Sequence, residues 1–139
     1  REVQLDAGRA SYVKVHVFAT LQPFCSDLPD RLASAHLVIA RSGAGTVSEI
    51  AAIGRPSILL PLKIAMDNHQ EANAEGLLEA GGADKLLEDN LYPNLLGELI
   101  ALRLGDANDL AVRAAAAKGL GNVRAAQDLT DLAEKVAAT

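Results

Sequence analysis

Tryptophan is absent from the 139 residues, and tyrosine and phenylalanine occur only twice each. The core must therefore be assembled from Ala, Leu, Val and Ile, and the abundance of alanine favours helices. The lone cysteine, Cys25, leaves no possibility of an internal disulfide, which suits a reducing compartment. No apolar run reaches the roughly 18 residues that a membrane span needs, and no secretory signal pattern is present. Positive charge is in deficit: 13 Lys and Arg against 18 Asp and Glu give a formal charge of −5. Nonspecific nucleic-acid binding, which relies on clustered basic side chains, is therefore not expected. The three histidines show no metal-ligand spacing, so neither a zinc site nor another metal centre is expected. The length suits one domain with a real core. The first residue is Arg rather than Met, as in a processed chain or one lacking its front end.

What is present is a succession of short apolar runs punctuated by Gly and Pro. Residues 1–11 read as loop or frayed helix. Val13, Val15 and Val17 alternate with Lys14 and His16, a period of two that predicts a strand over about 13–19. Ser26 or Asp27 can cap a short helix with Pro29 in its first turn. Leu37–Ala40 reads as a strand covered on both faces. Thr46, with Glu49 three residues on, has the spacing of a capping box, predicting a helix that ends at Gly54. Pro56 opens a buried strand that Pro61 stops. Asp67 or Asn68 can cap a helix to about Ala80, closed by Gly81 and Gly82, and Ala83–Leu87 reads as an edge strand. Helices follow over about 93–103, over 108–118, where Gly119 and Gly121 break the run, and over 122–138. Strand, helix, strand, helix, strand is the order of a parallel α/β sheet.

Ligands collect beyond the carboxyl ends of such strands, and on this reading three loops open there: 22–27, 41–46 and 61–70. In Ser42-Gly43-Ala44-Gly45-Thr46, the glycines permit close backbone approach. The following helix start offers free N–H groups to an anion such as a pyrophosphate, although a plain strand-to-helix turn fits too. Glu49 is either the capping-box partner or an acceptor for a diol such as ribose. Asp67, Asn68, His69, Gln70 and Asn73 form either a hydrophilic helix start or a set of groups for sugar hydroxyls, with Gln70 and Asn73 on one face. His69 has no nucleophile arranged with it, so a structural role is favoured over general base catalysis. Arg41 can pair with a carboxylate across the sheet edge or attract phosphate. Phe24 and Cys25 can wall a planar base or simply pack in the core.

The order FCSDLPDRLASAHLVIARSGAGTVSEIAAIGRPSILLPL, followed by MDNHQEANAEGLLEAGGA, resembles the carboxyl-terminal half of the bacterial MurG family, strongly over about 24–87 and more loosely over 93–138. Those enzymes transfer N-acetylglucosamine to lipid I, making lipid II for peptidoglycan. The resemblance implies one half of a GT-B pair of Rossmann-like domains, with residues 1–139 forming a partial donor-binding domain that lacks its opening strands. It implies UDP-N-acetylglucosamine as the donor, no cofactor, and a lipid-linked acceptor held by the family's amino-terminal domain, which also holds the presumed general base. Location on the cytoplasmic face of the inner membrane as a peripheral protein is implied as well. Phe24 and Cys25 would border the uracil. Ser42, Gly43, Ala44, Gly45 and Thr46 would approach the pyrophosphate and sugar. Glu49 would hold the ribose hydroxyls, and Asp67, His69, Gln70 and Asn73 would line the sugar pocket. The chain alone would bind donor without turnover. GAGTVSE and MDNHQ also resemble the donor-binding subunit of a two-chain N-acetylglucosaminyltransferase acting on a dolichol-linked acceptor, and a non-enzymatic nucleotide-binding module is the third alternative.

Overall fold

The computed structural model describes residues 2–63 and 69–137, and the chain divides into two compact units, Arg1–Asp30 and Arg31–Thr139.

The first unit is built on helix α1 (Glu2–Lys14). The strand expected over 13–19 does not form. Instead His16 adopts a left-handed φ of 57°. Its N–H bonds to Val13 O at 3.1 Å, and the Val17 N–H bonds to Tyr12 O at 3.0 Å. This pair is the Schellman closure of a helix, with histidine where glycine is usual. The physical reason is local: a helix end satisfies its backbone groups within the segment, whereas a strand needs a paired neighbour. The valines of the alternating run are left exposed, as is Phe18. Residues 17–27 are irregular, so loop 22–27 does not follow a strand.

The second unit contains a three-stranded parallel sheet in the order β1-β2-β3, formed by β1 (Val38–Ala40), β2 (Ser57–Leu59) and β3 (Ala83–Lys85). Val38 pairs with Ser57, and Ser57 with Ala83. Helix α2 (Leu28–Ser34) precedes β1, with Pro29 in its first turn where no intrahelical N–H is required. Helices α3 (Ala44–Ile53) and α4 (His69–Glu79) form the two crossovers. Val38, Leu59 and Ala83 from the sheet pack with Leu32, Ile50, Ala51, Ala74, Leu77 and Ala117 in one core cluster. Every residue of β2 is buried, as its continuous apolar run predicts. β1 departs from that expectation, because Ile39 is 42% exposed at the sheet edge. The predicted cap of α4 at Asp67 or Asn68 lies outside the described residues.

Beyond β3 come a single 3-10 turn (Glu88–Asn90), α5 (Pro93–Leu104), α6 (Ala107–Leu120) and α7 (Ala125–Ala137). Pro93 occupies the first turn of α5, as expected. Asp106 caps α6 by accepting from the amides of Asn108 and Asp109. Gly119, expected to break α6, lies within it, and the cap is Gly121. Glycine is needed there by packing, since a Cβ on Gly121 would come within 2.5 Å of the Ala51 carbonyl oxygen. At the same end of α3, Gly54 closes the helix at φ 77° and donates to Ile50 O. Close approach at these glycines is what lets α6 lie against α3.

A cluster of charges that sequence spacing did not suggest ties α5 and α6 to β3. Arg103 makes a fork to Asp84, with Nε and Nη2 each 2.7 Å from a carboxylate oxygen. Arg113 reaches both Asp84 and Asp109. The paired carboxylates hold the Arg103 guanidinium above its ordinary pKa, Asp84 contributing most.

Candidate functional site

Helix α3 begins three residues earlier than a Thr46 cap would place it. Gly43 is the N-cap, at φ −62° and ψ 147°, and no side chain caps the helix. The capping box between Thr46 and Glu49 therefore does not form, because both residues already lie inside the helix. The first intrahelical bond runs from the Val47 N–H to Gly43 O at 3.0 Å. The amides of Ala44, Gly45 and Thr46 consequently have no acceptor within the helix. Gly43, Ala44, Gly45 and Thr46 are open or half-open to solvent. Neither Gly43 nor Gly45 has a positive φ, and a Cβ on either would meet no atom within 4 Å. The chain's own conformation and packing thus do not require glycine at these two positions.

Glu49 lies one turn beyond Gly45 and Thr46, on the same side of α3 by helical spacing. It is exposed. Among the described residues, its carboxylate has no hydrogen-bond or ion-pair partner, which leaves both oxygens available as acceptors.

Ser42 behaves differently from its neighbours. It is fully buried, and its hydroxyl donates to Gln70 O at 2.7 Å. Its own carbonyl accepts from Asn73 Nδ2 at 3.1 Å. The side chains of Ser42 and Asn73 therefore stitch the start of α3 to the start of α4. Gln70 Oε1 accepts from the Leu62 N–H at 2.9 Å, which fixes which end of that amide faces inward and leaves its NH2 group as the free donor. His69 opens α4 at its exposed first position. Asp67 lies outside the described residues.

Arg41 takes the first of the two roles open to it. Its Nη2 donates to Glu88 Oε1 at 3.2 Å, and its Nη1 to Leu60 O and Pro61 O at 3.2 and 3.4 Å. The second Glu88 oxygen accepts from the Lys63 N–H at 3.3 Å. That amide, followed by the Arg41 guanidinium, holds the Glu88 carboxyl below its ordinary 4.5. Lys63 Nζ pairs with Asp89 at 2.6 Å. A small hollow of about 110 Å³ lies here, bordered by Pro61, Leu62, Lys63, Glu71, Leu87 and Glu88 among others.

The structure thus brings Ser42, Gly43, Ala44, Gly45, Thr46, Glu49, Gln70 and Asn73 together around the starts of α3 and α4. Phe24 and Cys25 belong to the first unit. Phe24 is 80% exposed, so the ordinary core packing open to it is not adopted. Cys25 Sγ lies 3.5 Å from Gln22 Oε1. Glu88 was not anticipated, because nothing in a lone glutamate after a short apolar run signals a partner 47 residues earlier.

Residues 4–134 match the family model described as the glycosyltransferase family 28 C-terminal domain. The chain belongs to this family, in its MurG branch. The crystal structure of Acinetobacter baumannii MurG superposes with a TM-score of 0.87 at 32% identity, over 95% of this chain and 40% of that one. A UDP-N-acetylglucosamine–N-acetylmuramyl-(pentapeptide) pyrophosphoryl-undecaprenol N-acetylglucosamine transferase from Rhodopseudomonas palustris strain BisB18 is 48% identical over 137 residues, which are 99% of this chain and 36% of the relative. The protein of that name from Brucella canis is 46% identical over 131 residues, 94% of this chain and 35% of the relative. The chain therefore spans little more than a third of these curated relatives. Its three-stranded sheet with flanking helices is part of one GT-B half without the full set of strands. No helix among the described residues is long and apolar enough to cross a membrane.

Proposed function

We propose that this chain is the donor-binding part of an inverting N-acetylglucosaminyltransferase of peptidoglycan synthesis, and that it holds UDP-N-acetylglucosamine. One observation supports this most strongly: an uncapped helix start faces open space across two glycines, with the unengaged Glu49 carboxylate one turn further along. Amides and the helix dipole suit a diphosphate. A carboxylate repels phosphate but accepts two hydrogen bonds from a ribose diol, so the two groups would bind opposite ends of a nucleoside diphosphate. Gln70, with His69 beside it at the start of α4, would meet the sugar. Ser42 and Asn73 would shape the site through the bonds that join α3 to α4.

In the reaction, the acceptor hydroxyl oxygen forms a bond to the anomeric carbon as that carbon's bond to the diphosphate oxygen breaks. The hydroxyl proton passes to a base, and inversion follows from attack opposite the leaving group. Charge grows on the departing UDP, where the α3 amides already point. The lipid-linked acceptor, its base and peripheral attachment at the cytoplasmic face of the membrane would come from parts of a longer protein beyond these residues. The chain alone would bind donor without turning it over.

Titration calorimetry with UDP and 2′-deoxy-UDP tests the reading. Glu49→Ala is expected to weaken UDP about tenfold, worth about 1.4 kcal/mol, and to affect the deoxy ligand less. An equal loss for the two ligands would remove Glu49 from the ribose, and no binding of either by the unaltered chain would overturn the donor site.

A further inference from the structure

We propose that Glu88 is a positioning residue for the donor sugar, acting through Arg41 and the backbone that leaves β2. This inference rests on the donor-site reading above.

The backbone from Leu60 to Lys63 is held at four atoms. Arg41 donates to the carbonyls of Leu60 and Pro61. The Leu62 N–H is taken by Gln70 Oε1, and the Lys63 N–H by Glu88 Oε2. Glu88 stands behind three of the four contacts, because its other oxygen orients the Arg41 guanidinium. Removing the carboxylate would take the Lys63 amide's acceptor and Arg41's counter-charge in one step.

The effect would reach the ligand side through Gln70. Its amide is fixed in rotation because the oxygen is committed to the Leu62 N–H, so the NH2 group can offer a directed hydrogen bond to a sugar oxygen. Displacing Leu62 frees that amide to turn. The start of α3 meets Gln70 only through the Ser42 hydroxyl on its backbone carbonyl, not through the side-chain amide that Leu62 orients, so the diphosphate and ribose groups at the start of α3 and at Glu49 should be affected less. Arg41 and Glu88 remain 42% and 38% exposed, and an exposed ion pair adds little to global stability. Placement of the loop is therefore what the pair contributes.

The test compares Kd for UDP-N-acetylglucosamine and for UDP in the full chain, together with amide hydrogen exchange at Leu62 and Lys63 without ligand. Glu88→Ala is expected to raise Kd for the nucleotide sugar about tenfold and for UDP by no more than about twofold. Exchange at both amides should quicken. Glu88→Gln keeps one acceptor oxygen and should fall between the two; it also supplies the comparison should the alanine variant fold poorly. An equal change for both ligands, no change for either, or unaltered exchange would overturn the proposal. Failure of the unaltered chain to bind UDP or its sugar would instead overturn the donor-site reading and the sugar role with it, while the exchange measurement would still decide whether Glu88 holds the loop.

Discussion

Glycine has opposite meanings at two ends of the same helix. At Gly121 an added methyl would strike the backbone of Ala51, and at Gly54 a left-handed φ is combined with close approach to Lys118. At Gly43 neither condition holds. Gly43→Ala is therefore expected to cost no more than about 1 kcal/mol of stability, the ordinary difference between these residues at an N-cap. On the proposed donor site it should nevertheless weaken UDP about tenfold, because the added methyl would stand between a phosphate and the amides. Thermal denaturation and calorimetry on the same variant check both parts. A weakened ligand together with a large stability loss would assign the glycine to the fold instead. The roles of Ser42 and Asn73 also separate at this scale, because the hydroxyl and the amide are already bonded within the protein.

Among the elements, those bounded by chemistry that acts locally were legible in the sequence. Gly54 and Gly121 stop helices, Pro29 and Pro93 sit in first turns, and the apolar run after Pro56 makes the buried central strand. Two misreadings have a shared cause. The valines at 13, 15 and 17 alternate, and Thr46 precedes Glu49 by three, yet each signal reports only what a segment could do. A strand over 13–19 would need a partner that spacing cannot supply, while α1 closes its own bonds at His16. The start of α3 is set by Ser42, whose buried hydroxyl is tied to α4, a contact 28 residues away. The Arg103–Asp84–Arg113–Asp109 cluster was invisible for the same reason. It joins three elements, and its side chains are largely shielded. Asp84→Ala is expected to destabilise the chain by about 2–3 kcal/mol, since hydrogen bonds to charged groups are lost and, among the described residues, the two guanidinium groups keep Asp109 as their one carboxylate partner. A shift of the urea midpoint measures this; a change below about 0.5 kcal/mol would mean that the cluster is ornamental.

For the whole molecule, the family relationship permits a test that does not ask this chain to work alone. Replacing the matched segment of the Rhodopseudomonas palustris relative with this sequence should leave a functional transferase, with kcat/KM within about tenfold of the parent. Placing Glu49→Ala in that chimera should lower kcat/KM about tenfold or more. A soluble, folded chimera that binds UDP but transfers no sugar would argue that this chain serves a different acceptor arrangement. The carboxylate of Glu88 adds a pH signature. Its folded-state value lies below 4.5, so its contribution is present above the unfolded value and disappears as acid carries the solution down through the folded one.

Helix α7 sets a separate condition on the molecule. It has 13 residues, none of them buried, and Leu129, Leu132 and Val136 are 67%, 56% and 68% exposed along one stripe. A helix this short is marginal in water when its own hydrogen bonds are its chief support. Its coil-to-helix balance is thus poised, and whatever removes that stripe from solvent, by as little as a few tenths of a kcal/mol per side chain, would decide how much of the carboxyl terminus is wound at any moment.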